Sequence, residues 1–107
     1  MGNALLALQN QYIFLTQNLS MILAACSTQA QRDAIQSQYV ASRRNYFNGI
    51  NKIFHNDDPT VANLVSKMQS AQTTLTNMMN GLNDIAKVID DITQAVKVGA
   101  ELVTAAG

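Results

Sequence analysis

The stretch "MILAACSTQAQ", Met21 to Gln31, decides how this chain folds. Its first half closes a run of apolar and small residues, and its second half is polar. Thr28-x-x-Gln31 has the form of a capping box. In that motif the hydroxyl accepts from the N3 backbone N–H, and the N3 side chain reaches back to the N-cap N–H. If the box operates, a helix starts there and the chain changes direction. If it does not, one helix runs through, because no Pro or Gly interrupts residues 3 to 48. The uninterrupted helix is the simpler reading, and a kink or break near 27–29 stays open.

Outward from that stretch the apolar spacing is helical throughout. From Val61 onward Val61, Met68, Leu75, Leu82, Ile89, Val96 and Val103 fall seven apart. Leu64, Ala71, Met78, Ile85 and Ile92 interleave at the d positions, followed by Gly99 and Ala106. A heptad repeat of that length predicts one long helix with a coiled-coil seam. The first arm starts the same way, with Leu5, Leu8, Tyr12, Leu15, Leu19, Ile22 and Cys26. Its seam turns polar at Gln29, Asp33 and Gln36, then recovers at Val40, Phe47, Ile50 and Phe54.

Between the arms lies "HNDDPT". Asp58 before Pro59 reads as an N-cap followed by a first-turn proline, and Asn56 and Asp57 suit the turn itself. The expectation is all-α: one domain over residues 1–107, an antiparallel hairpin of helices at about 3–54 and 59–106 with coiled-coil-like packing. Each arm would be roughly 70–75 Å long at 1.5 Å rise per residue. Folding at Asp57-Asp58-Pro59 would place residue i near residue 114 − i.

Composition limits the function classes. The chain carries 7 basic and 7 acidic residues and no Trp, and only 13% of its residues are charged. Net neutrality and scarce aromatics argue against nucleic acid as a partner, which needs a basic face and stacking platforms. A single Cys excludes an internal disulfide and a Cys-based zinc cage. The charges are segregated: Arg32, Arg43, Arg44 and Lys52 against Asp33 give +3 over residues 1–54, and three lysines against six acids give −3 over 55–107.

Candidate chemistry is sparse. Leu23-Ala24-Ala25-Cys26 has the letters of a bacterial lipobox, but the preceding segment has no Lys or Arg and is interrupted by Gln, Asn, Thr and Ser. Lipoprotein signals need a positive n-region and a continuous apolar core, so Cys26 reads as a small packed hydrophobe beside Val88. The same polar residues argue against a membrane span at 4–26. Asp90 and Asp91 are adjacent on a helix and so point about 100° apart, a poor metal or acid–base pair. Lys87–Asp91 and Lys97–Glu101 read as surface i,i+4 pairs. His55 reads as a surface turn residue. No nucleophile–base set or Gly-rich phosphate loop is present, so the chain reads as non-enzymatic, with no cofactor and no metal.

A lone two-helix hairpin cannot bury this much apolar surface. That points to self-assembly through Leu5, Leu8, Tyr12, Leu15, Leu19 and Ile22 with Ile89, Ile92, Val96, Leu102 and Val103. The partner would be further copies of the chain in a homo-oligomer or filament. Two other readings stay open: a membrane-active protein (a translocator or pore component) using the uncharged segment 1–31, and a small helical adaptor or chaperone for another protein.

The segments "NDDPTVANLV" and "IAKVIDDITQAV" resemble the turn and C-terminal helix of type III secretion needle and filament subunits. The chain departs from them in having one Pro and greater length. Phe47-Asn48-Gly49 at mid-chain is similar to the Trp-x-Gly of the WXG substrates of type VII secretion, with Phe for Trp. The resemblance implies a self-assembling filament or secretion-apparatus subunit. It would be secreted or at the cell surface without a cleavable signal peptide; otherwise the chain would be cytoplasmic.

Overall fold

A computed structural model describes residues 2–106. Among them the chain forms four helices and no strand: α1 (Asn3–Ala25), α2 (Gln29–Ile50), α3 (Pro59–Met78) and α4 (Ile85–Ala105). The all-α expectation holds, but the two-helix hairpin does not. Each expected arm is itself folded back, and the result is an up-down-up-down four-helix bundle. Its radius of gyration is 13.7 Å and its extents are 43 × 22 × 18 Å. A compact chain of this length is expected near ~13 Å.

The first reversal is the one that Thr28 and Gln31 encode. Thr28 Oγ1 accepts from the Gln31 N–H at 3.1 Å, and Gln31 Oε1 accepts from the N–H groups of Ser27 at 2.6 Å and Thr28 at 3.1 Å. Cys26 and Thr28 are extended, with ψ of 141° and 158°. The capping box therefore satisfies the amides that a continuous helix would have satisfied, and it wins locally.

The second reversal, Met79–Asp84, corrects the expected helix 59–106. Its residues, Met79-Asn80-Gly81-Leu82-Asn83-Asp84, are mostly turn formers. Asp84 caps α4 by accepting from the Lys87 N–H at 3.3 Å. The heptad repeat passes through this break unaltered, because both halves turn the same apolar stripe into one core. Helix α2 also stops at Ile50 rather than at residue 54. Asn48 and Gly49 accept backbone bonds from Asn51 and Lys52, closing the last turn. The junction at 57–59 matches the sequence reading: Asp58 Oδ1 accepts from the Thr60 N–H at 2.8 Å, and Pro59 opens α3.

Helix α1 packs against α2 and α3, and α4 packs against α3 and α2. α1 and α4 meet across the centre, and the backbones of α2 and α3 stay apart on the other diagonal. One apolar cluster sits at the end with the two tight reversals, around Ile22, Ile35, Leu75, Val88 and Ile92. The other sits at the opposite end, around Leu8, Val61, Met68 and Leu102. Between them lies a buried polar layer. Gln11 Nε2 donates to the Ala95 carbonyl at 3.0 Å, and Asn45 Nδ2 donates to the Val96 carbonyl at 3.1 Å. The Asn45–Val96 contact also replaces the hairpin register, which would have put residue 45 opposite residue 69.

Candidate interaction face

The eleven residues expected to drive assembly lie mostly inside this single chain. Leu8, Leu15, Ile22, Ile92, Val96 and Leu102 are buried. Leu5, Tyr12, Leu19, Ile89 and Val103 are half-buried. Leu19 and Ile89 pack against the first cluster and Val103 against the second. The double reversal brings each arm's two halves together, so one chain buries what an extended hairpin would have left open. At the α3 turn Asp57 and Pro59 are exposed and Asp58 is half-buried.

What stays open is a different set. The large exposed apolar side chains among the described residues are Leu6, Ile13, Met21, Val40, Phe47, Ile50 and Ile53. Three lie on α1, three on α2 and one just after α2; α3 and α4 contribute none. On α2 this corrects the expected seam. Val40, Phe47 and Ile50 are 55%, 47% and 46% exposed, while Ile35, Ser42, Asn45 and Gly49 take the core positions. Asn45 faces inward to bond the Val96 carbonyl of α4, and Ser42 bonds the Tyr39 carbonyl of its own helix. At Gly49 the Leu8 side chain of α1 leaves no room for a Cβ, which would lie 2.8 Å from Leu8 Cδ1. On α1 the sequence signal was a second seven-residue spacing, Leu6–Ile13, one residue past the seam; on α2 Val40 and Phe47 stood in the expected seam itself.

An aromatic cluster runs between α1 and α2 on this side. Tyr12 lies 5.9 Å, centroid to centroid, from both Tyr39 and Tyr46 and 6.1 Å from Phe47. Tyr46 and Phe47 are 5.4 Å apart. Such offset and tilted pairs gain beyond their buried area. Gln9 Nε2 donates to the Tyr46 hydroxyl at 3.2 Å. The Arg43 guanidinium lies 5.6 Å from the Phe47 centroid, within cation–π range. The neighbouring Thr16 and Tyr12 hydroxyls, and to a smaller degree the Arg43 charge, favour the Tyr39 phenolate and lower its pKa from the usual value. Arg43 and Arg44 pair with no carboxylate among the described residues. Lys87 and Asp91, at 3.0 Å, form the expected i,i+4 bridge. That carboxylate raises the Lys87 pKa.

The face presents exposed apolar side chains with the Arg43 guanidinium set beside the Phe47 ring. Among the described residues no group of three His, Cys, Asp or Glu could hold a metal ion. No described helix is long and apolar enough to cross a membrane. Comparison with protein-family models, with curated proteins and with solved structures returns no match.

Proposed function

We propose that this chain is a non-enzymatic structural and interaction subunit that self-associates through the outer face of α1 and α2. One observation carries the reading: among the described residues the large apolar side chains left in water lie on α1, on α2 and just after α2. Large apolar side chains gathered on two packed helices are a candidate surface for a partner. A second copy is the favoured partner because the charge is split along the chain, +3 over 1–54 and −3 over 55–107. The contact is therefore head-to-tail: the basic α1/α2 face of one copy docks on the acidic α3/α4 side of the next, a bias that steers encounter more than it adds affinity. The likeness of residues 56–65 and 85–96 to needle and filament subunits supports placing such an assembly in a secretion apparatus.

Sedimentation or light scattering over a concentration series tests this. The native chain is expected to associate, and Val40→Asp or Phe47→Asp is expected to weaken association about tenfold or more, as loss of an anchor residue at an interface centre does. A native chain that stays monomeric at the highest soluble concentration contradicts the reading. The half-buried tyrosines and the exposed Arg43 and Arg44 also suit the headgroup region of an anionic membrane. Co-sedimentation with anionic vesicles in place of self-association would favour that alternative.

A further inference from the structure

The connection between α3 and α4 is built like an interrupted helix rather than a loop. Met79 keeps helical angles, φ −63° and ψ −17°. Turn bonds continue through the segment, from the Gly81 N–H to the Met78 carbonyl at 2.9 Å and from the Asp84 N–H to the Gly81 carbonyl at 3.1 Å. Gly81 has no positive φ, and a Cβ there would meet only the Met78 carbonyl at 3.9 Å. The turn therefore has no steric need for glycine. The heptad repeat also crosses the break in phase, with Leu75, Leu82 and Ile89 seven apart and Met78, Ile85 and Ile92 seven apart. The same phase that turns both halves into one core in the bundle also suits one continuous helix across the break.

We propose that residues 79–84 are a hinge that straightens, so that two copies of the chain exchange α4. In the exchanged dimer α3 and α4 form one helix from Pro59 to Ala105, and α4 of each chain fills its own place in the other chain's bundle. The buried contacts of the closed monomer, including Gln11 to the Ala95 carbonyl and Asn45 to the Val96 carbonyl, are remade between chains. The two states then differ mainly at the hinge. This is the condition for domain exchange, in which identical elements swap at low cost. Asn80, Gly81 and Asn83 are poor helix formers and hold the native chain closed. The proposal draws on the α3–α4 connection and is independent of the α1/α2 face.

Pulsed electron paramagnetic resonance tests it. Spin labels go on Asn63→Cys and Thr104→Cys, which line one groove between α3 and α4 in the closed bundle. The background carries Cys26→Ser to remove the native thiol and Phe47→Asp to suppress association through the α1/α2 face. Doubly labelled chain is diluted into excess unlabelled chain, so only distances within one chain are read. Gly81→Ala with Asn83→Ala is expected to tighten dimerisation at least roughly tenfold, since each substitution favours the straight helix in both chains. The dimer should show a distance of about 60 Å within one chain, set by 1.5 Å rise per residue. Leu82→Pro, which cannot sit inside a continuous helix, should restore the short distance and the monomer. A Gly81→Ala/Asn83→Ala chain that stays monomeric with the short distance alone overturns the proposal. A dimer that keeps only the short distance also overturns it, by showing association without exchange. Neither result bears on the α1/α2 face, which the same labels in a Phe47 background would report through mass.

Discussion

At Gly99 α4 lies close against side chains of both α1 and α2. A Cβ there would lie 3.1 Å from Asn45 Nδ2, 3.2 Å from Gln11 Oε1 and 3.4 Å from Leu8 Cδ2. Both amides are held by bonds to α4 carbonyls and so cannot retreat freely. Alanine at a helical glycine normally gains up to ~1 kcal/mol, but overpacking a fixed site costs ~1–3 kcal/mol. Gly99→Ala is therefore expected to lower stability by about 1 kcal/mol in chemical denaturation. Tyr39 gives a spectroscopic check on the outer face. Its phenol should ionise below the usual tyrosine range in an absorbance titration, and Thr16→Ala should move it back up. Because the folded-state pKa is lowered, the associated stability is present only at alkaline pH above the unfolded value and is lost as pH falls through the folded one. At neutral pH it contributes nothing.

At the scale of the helices, Thr28→Ala is expected to cost about 1 kcal/mol of stability, read by thermal or chemical unfolding, because it removes the cap that starts α2. Gln31→Ala should cost less, since it leaves the Thr28 hydroxyl bond in place. These residues were legible in the sequence as a capping box, as were Asp58 and Pro59 as the start of α3. The break at 79–84 was not. Its Asn and Gly were visible, but the heptad stripe through Leu75, Leu82 and Ile89 argued for continuity. Periodicity reports which side of a helix is apolar; it does not report whether the two ends of that side face one core or two. Helix α2 misled for a related reason. Val40, Phe47 and Ile50 are large and apolar, yet Ser42, Asn45 and Gly49 face the core beside Ile35, Asn45 because it bonds an α4 carbonyl and Gly49 because Leu8 of α1 lies against it. The α2 part of the candidate face, Val40, Phe47 and Ile50, thus stood in the expected seam, and core residues of α1 and α4 stood in the expected assembly face.

For the whole molecule, the double reversal changes what a core substitution does. In an extended hairpin Leu15→Asp or Ile92→Asp would dissolve an assembly and leave the helices intact. In the bundle both residues are nearly fully buried within one chain. An unpaired carboxylate there carries a desolvation cost comparable to a small domain's whole stability. Ile92→Asp is expected to lose its cooperative unfolding transition and much of its circular dichroism at 222 nm, whereas Phe47→Asp keeps both and loses only association. The split charge acts at this scale too. It orients one copy against the next and should fade as salt is raised through physiological strength.

The claim on which the rest depends is that one chain closes on itself twice and leaves the outer side of α1 and α2 as its open apolar surface. Small-angle X-ray scattering on the dilute chain measures this directly. The bundle predicts a radius of gyration close to 13.7 Å and a longest dimension near 43 Å. A longest dimension of about 70 Å, the length of a helical arm of some 47–50 residues, would instead mean that the reversals at 26–28 and 79–84 do not form.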